Sequence, residues 1–195
     1  MTTYEAAESV ATLLKKNTTE QHLALEAVVE PQLQALKSKD DYAAFLRRFY
    51  GYFKPVESLI EKYINATVLP DIAQRRKAGL IVQDLTFSNT HIEALPLATQ
   101  LPEISNTVEA FGALYVLEGS TLGGRGITRL LLKKEALQLR PAEVRFFNGY
   151  GEQTGAMWTS FLKSLNQFTN NPAAVQQQIA TANDTFAFFK IWLQQ

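Results

Sequence analysis

Apolar residues recur at three- and four-residue spacing along almost the whole 195-residue chain, and no segment alternates strictly. That spacing lines side chains along one stripe of a helix, whereas a half-buried strand would place them at every second position. The chain is therefore predicted to be all-α, with seven to nine helices. Leu14, Thr18, His22, Leu25 and Val29 share one face of a first helix over about Glu5 to Val29, which Pro31 ends or kinks. Asp40 or Asp41 caps a second helix with an aromatic stripe of Tyr42, Phe45, Phe49, Tyr52 and Phe53, bent near Gly51 and Pro55. Asp71 is placed to cap a third helix through RRKAGLIVQDL, and Phe87 to Pro102 reads as loop with one short helical turn. Asn171 and Pro172 start a last helix whose apolar side carries Val175, Ile179, Ala182, Phe186, Phe189 and Leu193.

A chain of this length fits one domain, residues 1–195, and its 46% hydrophobic content supplies a core. Nineteen basic residues balance nineteen acidic ones, so the basic footprint of a nucleic-acid binder is missing. No stretch has the ~18 apolar residues of a membrane span, and the N-terminal segment lacks the charge-then-apolar order of a secretory peptide. The expectation is a soluble, cytoplasmic protein without nucleic-acid or membrane partners. With no cysteine, disulfides, thiolate metal sites and a cysteine nucleophile are excluded.

Only His22 and His91 offer imidazole chemistry. His22 lies on the apolar face of the first helix, one turn before Glu26. It is either a core histidine satisfied locally or a metal ligand whose other ring nitrogen is oriented by Glu26. His91 sits in a loop-like phrase. Residues 105–139 contain two helical runs, SNTVEAFGALYVLE and ITRLLLKKEALQL, separated by GSTLGGRG. Each glycine in a helix interior costs ~1 kcal/mol relative to alanine, so bare backbone must be needed there. The alternatives are an interhelical loop, close packing through small residues, or a bent helix lying against a flat ligand. A phosphate loop does not fit, because no strand precedes the glycines and no Lys-Ser/Thr follows. Arg75, Arg76 and Lys77 read as a solvated helix face or a docking patch for an acidic electron-transfer partner. Arg125 and Arg129 read as surface residues.

The phrase KKNTTEQHLALE, followed about a hundred residues later by LYVLEGSTLGGRG, resembles the heme oxygenase family. FGALYVLEGSTLGG, FFNGYGEQTGAMWTSFL and TFAFFKIWL resemble its bacteriophytochrome-associated bacterial branch, in the same order and over nearly the whole chain. The resemblance implies heme held between a proximal helix and a kinked glycine-rich distal helix. It implies O2- and reductant-dependent cleavage of heme to biliverdin, carbon monoxide and iron, with an external electron donor and a bacteriophytochrome as possible recipient of the product. His22 falls on the proximal iron ligand, with Thr18 on the same face and Glu26 beside the imidazole. Lys15 matches a basic position that meets a heme propionate, and Lys163 lies near another. Gly119, Gly123 and Gly124 fall on the distal glycines. Ser120 stands where many members carry an aspartate that anchors a water network; its hydroxyl can hold water but brings no charge.

Rival helical enzymes fit poorly. A di-iron carboxylate site needs Glu-x-x-His pairs that are missing here, and thiaminase-like relatives of the fold need a cysteine. The remaining competitors are a heme carrier or sensor that keeps His22 without turnover, and a helical interaction module that binds no heme.

Overall fold

The computed structural model describes residues 9–88, 90–169 and 171–195. These are helical as expected, with α1 Val10–Ala35, α2 Lys39–Ile60, α3 Gly79–Asp84, α4 Thr107–Lys133, α5 Arg145–Asn148, α6 Thr154–Phe168 and α7 Pro172–Leu193 joined by short 3-10 turns. None of the described helices is long and apolar enough to cross a membrane.

Helix ends depart from the sequence reading where polar side chains decide them. Ser9 caps α1, its hydroxyl accepting from the Thr12 amide at 3.2 Å, so the helix begins at Val10; the anticipated start at Glu5 lies outside the described residues. Pro31 does not end α1, which runs one turn further to Ala35. Leu33 is buried there, and the Lys134 ammonium donates to the carbonyls of Leu33, Gln34 and Leu36 at 2.9, 2.6 and 3.3 Å. A cation on orphan carbonyls at a helix C-terminus offsets the bond that proline removes. Ser38, not Asp40 or Asp41, caps α2; the Asp41 carboxylate instead accepts from the Lys37 amide at 2.8 Å. Helix α2 continues unbroken through Gly51 and Pro55. Gly51 is needed for contact, since an added Cβ would sit 2.6 Å from the Trp192 ring and 2.7 Å from the Pro96 carbonyl oxygen. The third predicted helix shrinks to a 3-10 turn at Ile72–Gln74 and the six residues of α3. Asn171 and Pro172 start α7 as read, with the Asn171 side chain accepting from the Ala174 amide at 2.9 Å.

The glycine run neither forms a loop nor separates two helices: α4 is one 27-residue helix through all four glycines. Its N-terminal half, Ala110–Glu118, is buried on every side. Both α1 and α4 pack along α7 but scarcely touch each other. At Gly112 a Cβ would lie 2.6 Å from the Gln178 carbonyl oxygen, so α4 and α7 meet there backbone to backbone. The aromatic stripe of α2 is core as expected. Phe49 and Phe53 stack and meet Phe146, Phe147 and Phe189 edge-on, a geometry aromatic rings favour.

Candidate functional site

Where α1 and α4 part, a cavity of about 790 Å³ opens. One wall is α1, with Lys15, Thr18, His22 and Glu26; the opposite wall is α4, with Gly119, Ser120 and Gly123. Rings of α2, α5, α6 and α7 close the inner end. The volume is within the range of small-molecule and cofactor sites, and the lining is mostly apolar with a few polar groups.

His22 is no core histidine. Its side chain is 51% exposed, its ring meets Phe186 edge-on at 5.5 Å, and neither ring nitrogen has a hydrogen-bond partner among the described residues. Glu26 Oε1 lies 3.5 Å from Nε2, beyond a good hydrogen bond but close enough to steer the ring. Thr18 is buried on the same wall and donates to the Leu14 carbonyl at 2.8 Å. Lys15 is exposed at the cavity mouth. On the opposite wall, an added Cβ at Gly123 would meet no atom within 4 Å, so the missing side chain leaves free space in the cavity. At Gly119 it would touch the Trp158 ring at 3.7 Å.

Two anticipated residues lie elsewhere. Gly124 is buried off the cavity, where a Cβ would come within 2.0 Å of the Phe147 carbonyl oxygen; its bareness lets α4 press on α5. Lys163 is exposed on α6 and does not line the cavity, whose α6 residues are Trp158 and Leu162. His91 is exposed beside a 3-10 turn, and Arg125 and Arg129 are exposed on α4, as read.

The basic triplet is the main correction. It is not a solvated helix face. Arg75 and Arg76 follow the 3-10 turn and point inward. The Arg75 side chain, 1% exposed, donates to Glu118 Oε2 at 2.7 Å and to both Asp71 oxygens at 2.9 and 2.7 Å. Burial alone would lower the Arg75 pKa, but Glu118 and Asp71 outweigh it and raise it. Arg76 lines the cavity, donating through Nη2 to the Leu117 carbonyl at 2.5 Å and to Ser120 Oγ at 2.6 Å. Its guanidinium lies 4.4 Å from the Phe146 ring centre and 5.3 Å from that of Phe53. The Ser120 hydroxyl donates to the Leu117 carbonyl at 2.7 Å, so its remaining capacity is to accept. Tyr150 takes a hydrogen bond from the Arg76 amide at 2.7 Å and donates to Glu118 at 2.8 Å. One sequence signal, not read above, could have pointed here. Glu118 ends a run of apolar residues, and a carboxylate so placed on a buried helix requires a cationic partner.

Lone His22 with no acidic cluster is a poor site for a free metal ion; among the described residues no group of three or more His, Asp or Glu could hold one. An unpartnered imidazole facing bare backbone across an apolar slot instead fits a flat metal complex that brings its other ligands with it.

A family model described as heme oxygenase matches residues 8–195. A heme oxygenase of Xanthomonas campestris pv. campestris is 30% identical over 151 residues, 77% of this chain and 87% of that protein. Heme oxygenase from Leptospira interrogans superposes with a TM-score of 0.75 at 18% identity, covering 95% of this chain and 98% of the other. The enzyme from Neisseria meningitidis, solved with NO and CO bound, gives 0.72 at 23% identity, with coverage of 96% and 92%. Heme oxygenase-1 from the cyanobacterium Synechocystis sp. PCC6803, in complex with heme, gives 0.72 at 15% identity, with coverage of 96% and 91%. The match along nearly the entire sequence, with the same fold in all three structures, means that the chain belongs to the heme oxygenase family.

Proposed function

We propose that the slot between α1 and α4 receives heme with His22 as axial ligand to the iron and the backbone of Gly119 and Gly123 against the opposite face. The activity is that of the family: heme is opened to biliverdin, with release of carbon monoxide and iron, using O2 and reducing equivalents. The observation that carries the site assignment is the pairing of a hydrogen-bond-free imidazole with side-chain-free helix backbone on opposite walls of one 790 Å³ cavity.

Bound heme supplies both the redox centre and the ring that is cleaved. The chain supplies position and polarity. A neutral imidazole nitrogen of His22 is a suitable donor to iron, and Glu26, one helical turn on, limits the ring's rotation. Lys15 at the mouth pairs with a propionate and so fixes which edge of the macrocycle faces inward. Lys163, off the cavity wall, carries no part of this reading. Gly123 leaves space for close approach, and Ser120 can accept a hydrogen bond from a water. The aromatic inner end keeps bulk water out. An external electron-transfer partner delivers the reducing equivalents. A bacteriophytochrome as recipient of biliverdin rests on the motif resemblance alone.

The test is a hemin titration followed by ascorbate in air, on the wild type and His22→Ala. The wild type is expected to develop a Soret band, then lose it as a linear tetrapyrrole forms. His22→Ala is expected to weaken or abolish the band while changing stability by no more than about 0.5 kcal/mol, because the side chain is half exposed. A Soret band that persists under reductant and O2 would identify a carrier or sensor. No band at all would remove the heme site.

A further inference from the structure

Nothing within a histidine side chain fixes the plane of its own ring, because rotation about the bond to the imidazole has broad minima. The plane of the His22 imidazole is therefore set by what surrounds it. Two neighbours bear on it, Glu26 and Phe186. Glu26 is the weaker restraint. Its side chain is 57% exposed and stands 3.5 Å from Nε2 on a flexible stem, so it can limit the ring's swing but not define one plane. Phe186 is buried and meets the imidazole edge-on, with ring centres 5.5 Å apart and planes at 68°. A packed ring resists displacement where a solvated carboxylate yields.

Phe186 is itself held in place. Helices α1 and α7 run side by side in the same direction, tied where the Asn183 side chain donates to the Asn17 carbonyl at 3.1 Å and where Gln32 donates to the Leu193 carbonyl at 3.2 Å. His22 and Phe186 fall between these ties. From α2, the Tyr52 hydroxyl donates to the Thr185 carbonyl at 2.8 Å, and the Tyr52 ring stacks on Phe189 at 4.7 Å. The backbone that carries Phe186 is thus pinned from two sides. An aromatic placed for core packing meets other core rings, as Phe189 meets Phe49, Tyr52 and Phe53. Phe186 differs: among the described residues its ring contact is with the imidazole alone, and it lines the cavity.

We propose that Phe186 is a positioning residue that fixes the plane of the His22 imidazole, so that the ring nitrogen meets the iron in one orientation about their common bond. This rests on heme occupying the cavity with His22 as axial ligand. The plane matters because the π orbital of an imidazole nitrogen overlaps the iron d orbitals along one direction only. One fixed plane gives one splitting of those orbitals, and a swinging ring gives a spread. A role confined to packing would cost stability and leave that splitting unchanged.

Electron paramagnetic resonance of the azide complex of the hemin-loaded ferric protein reads this splitting as three g values, without turnover. The wild type is expected to give one narrow rhombic set. Phe186→Leu is expected to displace the largest-g feature or broaden it about twofold, as the freed ring samples more orientations. Phe186→Tyr, which keeps the ring edge, is expected to give the wild-type spectrum, and Glu26→Gln a smaller change than Phe186→Leu. Wild-type g values and widths in Phe186→Leu overturn the proposal, as does a larger change in Glu26→Gln. Should Phe186→Leu fail to fold, Phe186→Met fills the same space with a flexible chain, and an unchanged spectrum there overturns it equally. Overlapping sets in the wild type overturn it without any variant. Absence of a Soret band in the wild type defeats the heme reading and this one together. A normal wild-type band with a spectrum indifferent to Phe186 defeats only this one.

Discussion

An added methyl at Gly124 would sit 2.0 Å from the Phe147 carbonyl oxygen, whereas one at Gly123 would meet no atom within 4 Å. Successive residues on a helix point about 100° apart, so adjacent glycines face different neighbours. The sequence grouped them in one wall because a cluster of glycines carries no record of which way each faces. Gly124→Ala is expected to lower the unfolding free energy by about 1–3 kcal/mol, since backbone must move to admit the methyl. Gly123→Ala is expected to raise it by as much as ~1 kcal/mol through helix propensity. Hemin should respond in the opposite sense, with affinity falling for Gly123→Ala because the methyl enters the slot. Urea unfolding of the free protein and Soret titration separate the two. A Gly123→Ala protein that binds hemin at wild-type affinity would remove Gly123 from the wall. That Thr18, His22 and Glu26 share a helix face was legible from their four-residue spacing, whereas the roles proposed for His22, Lys15 and Glu26 came from the family resemblance. Arg76 was not legible, because its contact with Ser120 joins positions 44 apart in the chain.

Between elements, the errors have a common cause. The all-helical layout could be read from periodicity, which sums over many residues. Helix ends and the inward turn of Arg75 depend on single polar contacts with distant partners. The segment after Asp71 looked helical by composition. In the structure its carboxylate binds Arg75 and accepts from the Ser160 hydroxyl at 3.0 Å, which ties the segment down before a helix can propagate. Arg75 then bridges to Glu118 on α4, with both side chains almost fully buried at 1% and 2% exposure. Removing Glu118 takes one of two carboxylates from the buried Arg75, which keeps Asp71, and leaves the Tyr150 hydroxyl without its acceptor. Glu118→Ala is accordingly expected to destabilise by about 2–3 kcal/mol and to loosen the segment that carries Arg76. Urea midpoints measure the first effect, and faster amide exchange over residues 71–78 the second. A loss below about 1 kcal/mol would mean that the pair is dispensable.

Across the molecule, three buried carboxyls shape the response to pH. Burial raises Glu57 to about 7 and Asp84 to about 6, against hydrogen bonds from the Ala78 amide and from the Phe146 and Arg145 amides. Burial would raise Glu143 too, but hydrogen bonds from the Arg140 side chain and amide, and from Lys39, hold it at about 2. For a raised carboxyl, the folded state binds the proton more tightly, so stability is lost as pH climbs through the folded value. For Glu143 the sign is reversed: its contribution is present above the ordinary value of 4.5 and is lost as pH falls through about 2. The loss from Asp84 and Glu57 begins at their ordinary values, so stability to urea is expected to peak at about pH 4 and decline on both sides. Glu143→Gln should cost on the order of 2 kcal/mol at neutral pH, allowing for solvent around Lys39 and Arg140, and the gap to wild type should close below about pH 2. An unchanged gap at low pH would refute the linkage.

The backbone contact of Gly112 with Gln178 has a further consequence. It lies two helical turns from the first distal glycine, and there α4 rests on the helix that also supports α1. If heme lies where we propose, this contact helps fix how far the imidazole stands from the bare backbone. Gly112→Ala is then expected to alter that spacing, and hemin affinity with it, from a position that does not line the cavity.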